Sequence, residues 1–124
     1  MGSGKWGKFP MSFLVAPFEV SSAALAAPVK CRLVHVFPAI ATRHSDTMDC
    51  VFRVDGQEVT VAISCAALTN LREREHHYFT DQQLAEIAAL FLRRTLANGY
   101  DATQAELPIG ETELLALGRE LGYL

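Results

Sequence analysis

The chain has little lysine and no excess of positive charge. Its only lysines are Lys5, Lys8 and Lys30, beside eight arginines and 14 acidic residues. Met1 to Pro10, with three glycines and the single tryptophan, is interpreted as a leader added for expression, and residues 11–124 as one domain. Without Lys5 and Lys8, nine basic residues face 14 acidic ones, a net charge of −5. This balance argues against direct nucleic-acid binding.

The chain also lacks an apolar run long enough to span a bilayer. Phe13 to Ala27 is fairly apolar, but Pro17 and Glu19 interrupt it and it is too short. We therefore expect no membrane attachment. After Met11 a single lysine accompanies eight arginines and abundant alanine and leucine, which is typical of a GC-rich bacterial genome.

The chain also lacks an even number of cysteines, since it has three. Cys31, Cys50 and Cys65 cannot all pair within one molecule, and without an export signal they are expected to be reduced thiols in the cytoplasm. Cys31 and His35 stand four residues apart, but the spacing fits no paired-cysteine zinc signature. We predict no metal and no cofactor.

Signatures of catalysis are missing too, since the chain has no glycine-rich phosphate loop, no serine elbow and no paired carboxylates on one face. One alternative stays open, a cysteine- or metal-dependent enzyme using Cys65 or Cys31 with a histidine. Cys65 would stand in the first turn of a helix, where the dipole lowers a thiol pKa, with His44, His76 or His77 as base. The absences favour a protein without catalytic residues.

What the sequence does contain is a clear β-hairpin. Asp55-Gly56 is a preferred two-residue type I′ turn between two alternating apolar segments. It fixes a register in which one face is wholly apolar. The predicted pairs are Val54 with Gln57, Arg53 with Glu58, Phe52 with Val59, Cys50 with Val61, and Met48 with Ile63.

A second strand is predicted before the hairpin, over Val29 to Ile40. Its alternation places Cys31, Leu33, His35 and Phe37 on one face and Val34 and Val36 on the other. Ala41 to Thr47 is expected to be a loop. Less regular signals suggest a short strand over Ser12 to Ala16 and a helical turn, capped by Ser21 or Ser22, through Ala26.

Three helices are predicted after the hairpin. Ser64 caps a short helix through Leu71, followed by a charged connector, Arg72 to His77. Thr80 and Gln83 form a capping box for a long helix that Asn98-Gly99 ends. Tyr100 to Pro108 reads as a connector, and Gly110 to Leu121 as a last helix. The predicted fold is therefore α+β, a small antiparallel sheet built on the hairpin with three helices on one face.

The long helix supplies the predicted core anchor. Phe91 lies in the middle of its apolar stripe, and we expect its ring to be fully buried. The stripe comprises Leu84, Ile87, Ala88, Phe91, Leu92 and Thr95.

The densest charge cluster marks a candidate partner surface. It is interpreted as a polar rim with two aromatic anchors, although a solvated connector is the simpler explanation. The rim consists of Arg72, Arg74, His76, His77, Tyr78 and Phe79.

The segment from Phe52 to Leu68 resembles the centre of a family of small bacterial proteins of unknown function. In that family a glycine-containing hairpin runs into an Ile-Ser-x-x-Ala-Leu helix start, here Ile63, Ser64, Ala67 and Leu68. The resemblance implies a compact α+β fold and self-association, and it implies no catalytic residues.

These observations favour a small bacterial protein that binds another protein or itself. A homodimer is expected because a sheet of two or three strands leaves an unpaired edge, and few charges protect Cys31 to Phe37. Besides the cysteine- or metal-dependent enzyme, a further alternative is an acidic regulator that engages a nucleic-acid-binding protein.

Overall fold

The computed structural model describes residues 15–37, 46–99 and 106–124. Within them the architecture is α+β, with five strands in one sheet, ordered β1-β2-β3-β4-β5, and three helices. The elements are β1 (Phe18–Val20), β2 (Val29–Phe37), β3 (Thr47–Val54), β4 (Gln57–Ser64), α1 (Cys65–Glu75), α2 (Asp81–Ala97), β5 (Glu106–Ile109) and α3 (Glu111–Glu120).

The β3–β4 hairpin has the register that the turn predicts. Asp55 and Gly56 both adopt positive φ, 48° and 87°, as a type I′ turn requires. The five predicted pairs, from Val54–Gln57 to Met48–Ile63, are all observed. Met48, Cys50, Phe52 and Val54 of β3 are all buried, which identifies the core face of the sheet.

Strand β2 differs from the predicted alternation because it contains a β-bulge. Its pairing with β3 shifts between Leu33 and His35, so one extra residue is inserted. Val36 pairs with buried Cys50 on the core side, whereas His35 and Phe37 pair with Val51 and Asp49. The prediction that Cys31, Leu33, His35 and Phe37 share a face is therefore wrong. Beyond Phe37, residues 38–45 of the predicted strand and loop lie outside the described residues.

Helix α1 begins where predicted but ends later. The Ser64 hydroxyl accepts a hydrogen bond from the Ala67 amide at 3.2 Å, as expected of an N-cap. The helix continues through Glu75 and ends at His76, which takes the left-handed conformation. The charged connector predicted over Arg72 to His77 is thus wrong for its first four residues, because arginine and glutamate are good helix formers.

Helix α2 carries the predicted capping box. The Thr80 hydroxyl accepts from the Gln83 amide and the Gln83 side chain accepts from the Thr80 amide, both at 3.0 Å. At the other end Gly99 has a φ of +89°, the predicted left-handed stop. Phe91, however, is only partly buried, whereas Leu92 is fully buried. Phe91 therefore packs against the core without being fully buried, and Leu92 is the more deeply buried residue of α2.

The sheet is completed by two short edge strands that the sequence analysis misplaced. β1 lies over Phe18–Val20 and not over Ser12 to Ala16, of which residues 12–14 lie outside the described residues. The predicted helical turn is a tight turn in which the Leu25 amide donates to the Ser22 carbonyl.

The second edge strand is β5, which was predicted to be part of a connector. Glu106–Ile109 pairs in parallel with β4, so the sheet is mixed and not antiparallel throughout. Leu107 and Ile109 point into the core, and Pro108 is tolerated because β5 pairs with only one strand among the described residues. The rest of that predicted connector, residues 100–105, lies outside the described residues.

The core joins the sheet to all three helices. Buried side chains from the strands and from α1, α2 and α3 belong to one hydrophobic cluster. Its largest fully buried members are Met48, Phe52, Ile63, Leu71, Ile87, Leu92, Ile109 and Leu114.

Candidate functional site

The three thiols form no disulfide, and the pKa of each is raised. All are free; Cys31 and Cys50 are buried and Cys65 is half-buried. Burial raises the pKa of Cys31 to about 11 and that of Cys50 to about 12. Burial, then Asp46 and Asp49, also raises the pKa of Cys65, in the direction opposite to that of a thiolate nucleophile.

Histidine, cysteine and carboxylate side chains do not gather into a metal site in the part of the chain that the structure describes. His35 lies on the face opposite to Cys31 after the bulge, and its ring contacts that of Phe37 edge to face at 4.2 Å between centroids. The Cys31–His35 pair considered for zinc is therefore divided between the two faces of the sheet.

The predicted rim, Arg72 to Phe79, spans the last turn of α1 and the segment before α2. Arg74 forms an ion pair with Glu111 of α3. Tyr78 is the most exposed aromatic residue of the rim, with 71% of its surface accessible.

Phe79, the other aromatic residue of the rim, is partly buried against α3. A Cβ at Gly118 would lie 3.1 Å from the Phe79 Cζ atom, so the glycine allows the ring to approach the helix closely. His77 is half-buried and contacts the Phe79 ring edge to face. The structure thus places Tyr78 at the surface and uses Phe79 for packing.

A second surface is the outer edge of β2. Strand β1 pairs only with Val29, Lys30 and Cys31. The following segment, Arg32 to Phe37, pairs with β3 on one side and with no strand of the described residues on the other. We call this segment the β2 edge.

The β2 edge is also unusually apolar for an exposed segment. Val34 is 37% and Phe37 41% accessible, and they are among the few large hydrophobic residues exposed in the described part of the chain. Arg32 is the only residue of this segment with a permanent charge. The sequence analysis found the segment but did not find the bulge that places Val34 within it.

A third feature, missed in the sequence, lies beside the edge. The β2–β3 register places Arg32 directly opposite Arg53. No local signal predicts this pair, because the register between β2 and β3 depends on residues far apart in the chain.

No helix among the described residues is both long and apolar enough to cross a membrane. Comparisons with protein-family models, with curated proteins and with solved structures found no match to this chain.

Proposed function

We propose that the protein acts by protein–protein interaction and that its first partner is a second copy of itself, bound through the β2 edge. The observation that carries this proposal is the run from Arg32 to Phe37, which has a strand on only one side among the described residues. Unpaired amide and carbonyl groups of an edge strand form a template for another strand. The proposal takes the three helices to lie on the core side of the sheet, so that no described helix or strand covers this edge.

The side chains of the edge support pairing more than they oppose it. Proteins protect free edges with lysine, proline or inward-pointing charges, and the segment from Leu33 to Phe37 has none of these. Val34 and Phe37 would lose exposed apolar surface in an interface. Because the bulge interrupts regular pairing, the interface is short, and we expect a reversible dimer and not an obligate one.

The free thiols fit a reducing compartment. We place the protein in a bacterial cytoplasm, where cysteines such as Cys31, Cys50 and Cys65 stay reduced. Their raised pKa values favour a structural role over the cysteine-dependent enzyme.

Light scattering of the full chain across micromolar concentrations tests the proposal. The wild type should approach a mass twice the 13.6 kDa of the chain. Val34→Lys should remain a monomer because a lysine on the edge must be desolvated by the incoming strand. Leu124→Lys is the matched control, since Leu124 is similarly exposed, at 41% against 37% for Val34, and lies outside the sheet.

Two results would contradict self-association through this edge. One is a monomeric wild type over the whole range; the other is a Val34→Lys variant that dimerises as the wild type does. If Tyr78→Ala abolishes the dimer and Val34→Lys does not, the contact lies at the rim instead. The rim is the second candidate surface, and Tyr78 is its most exposed aromatic residue.

A further inference from the structure

A cavity opens beside the β2 edge, between β1, the start of β2 and the β3–β4 turn. Its volume is about 520 Å³, within the range of small-molecule sites, which runs from roughly 300 to 1,000 Å³. The basic residues Lys30, Arg32 and Arg53 line it together with Glu19 and Asp55.

The two arginines of this cavity form a like-charge pair. Arg32 of β2 and Arg53 of β3 are direct cross-strand neighbours, an arrangement that destabilises a sheet when nothing lies between the charges. No carboxylate forms an ion pair with Arg32 in the described parts of the chain. The register thus places two arginines side by side, and only Arg53 has an ion-pair partner among the described residues.

Arg53 is only weakly satisfied by its neighbours. Its Nη2 lies 3.5 Å from Glu58 Oε2, and both side chains are substantially accessible, 40% and 62%. Its Nη1 donates to the Gly56 carbonyl at 3.4 Å. The Nε–H is shielded from solvent and has no acceptor among the described residues. A buried guanidinium N–H without an acceptor is uncommon, because such groups almost always find a partner.

The two carboxylates of the cavity are engaged elsewhere. Asp55 Oδ1 accepts a hydrogen bond from the Lys30 amide at 3.0 Å, which ties the hairpin turn to β2. Glu19 lies directly opposite Lys30 in the β1–β2 register, a position in which an opposite charge favours the sheet. Arg32 and Arg53 remain as the groups available to an incoming anion.

From this arrangement we infer that the cavity binds a small molecule through a carboxylate or phosphate group. The oxyanion lies between the Arg32 and Arg53 guanidinium groups, which present planar pairs of donors suited to such groups.

The inference is independent of the proposed dimer. It concerns side chains on the solvent face of the sheet, whereas the β2 edge would pair through backbone groups. A nucleic acid is a poorer occupant, since the chain carries a net negative charge that opposes a phosphate backbone.

Two-dimensional NMR of the arginine Nε–Hε groups of the full chain tests this site. Phenyl phosphate and benzoate are the probes, inorganic phosphate measures the contribution of the anion alone, and benzylamine is the control of opposite charge. We expect saturable shifts of the Arg32 and Arg53 signals with an oxyanion probe and none with benzylamine. Tighter binding of phenyl phosphate than of benzoate would identify a phosphate ligand, and the reverse order a carboxylate.

Variants separate this site from general attraction between charges. Arg32→Gln and Arg53→Gln should each weaken binding of the better probe about tenfold or more, because each removes a charged donor pair. Arg119→Gln, which removes an exposed arginine of α3, should leave it unchanged. Arg32→Gln should also raise the Tm of the unliganded protein, since it removes the like-charge pair, and this shows that the variant is folded.

Three results would overturn the inference. They are the absence of saturable shifts at millimolar probe, equal binding by Arg32→Gln and the wild type, and an equal loss in Arg119→Gln.

Discussion

The alkaline stability of the protein should depend on the Cys50 thiol, which is fully buried among the core residues of β3. Burial raises its pKa from the ordinary 9.0 to about 12, and Asp49 and Asp81 act in the same direction. A raised folded-state pKa means that the native protein holds this proton after the unfolded chain has lost it. The stabilisation is therefore complete below pH 9 and is lost progressively as the pH rises toward about 12.

The magnitude follows from linkage. One proton held by the folded state but not by the unfolded state lowers the free energy of unfolding by about 1.4 kcal/mol per pH unit. Between pH 9 and pH 11 the stability lost through Cys50 thus amounts to roughly 2 kcal/mol, a substantial part of the stability of a small domain. Lysine and tyrosine titrate in the same range, so the wild type alone cannot isolate this contribution.

A matched variant isolates the contribution of Cys50. Urea unfolding followed by circular dichroism, under reducing conditions and at several pH values above 9, gives the slope for the wild type and for Cys50→Ala. The small cavity in Cys50→Ala lowers stability by a similar amount at every pH, so the slopes are compared and not the absolute values. The variant should be less steep by about 1.4 kcal/mol per pH unit. Equal slopes would show that Cys50 ionises normally and refute its burial in the core.

Two further predictions concern helix α2. Leu92→Ala should lower the free energy of unfolding by about 3 kcal/mol, because Leu92 is fully buried. Phe91→Ala should lower it by only about 1 to 2 kcal/mol, because Phe91 is partly buried. Chemical denaturation measures both losses, and a larger loss in Phe91→Ala would contradict the observed packing. Thr80→Ala should lower the free energy of unfolding by about 1 kcal/mol because the capping box is lost, and Thr80→Ser should keep most of that stabilisation. Equal stability of Thr80→Ala and the wild type in thermal unfolding would show that the cap contributes nothing.

The elements that the sequence predicted are those set by residues close together in the chain. The Asp55-Gly56 turn determines the hairpin register by itself, and Thr80 and Gln83 satisfy one helix end between them. Gly99 ends α2 because glycine adopts positive φ readily. In each case the physical cause lies within one turn of the affected backbone, so no knowledge of the tertiary fold is needed.

The elements that escaped prediction depend on partners far away in the chain. Strand β5 has four residues and contains Pro108, and only its parallel pairing with β4 makes it a strand. The bulge between Leu33 and His35 is hidden because both alternations of β2 contain apolar residues. The Arg32–Arg53 pair of the candidate anion site has the same origin, since it exists only through the β2–β3 register.

The parallel pairing of β5 has a consequence for the order in which the fold is completed. The β3–β4 hairpin joins neighbouring segments, whereas β5 reaches β4 only after the chain has passed through α1 and α2. Contacts between distant segments carry a larger loop-closure cost than those of a hairpin. On the ribosome, the hairpin can therefore form early while the β4 side of the sheet stays open until residue 109 has emerged. During that interval the nascent chain exposes two strand edges, one on β2 and one on β4, and among the described residues only the second is later paired with a strand of its own polypeptide.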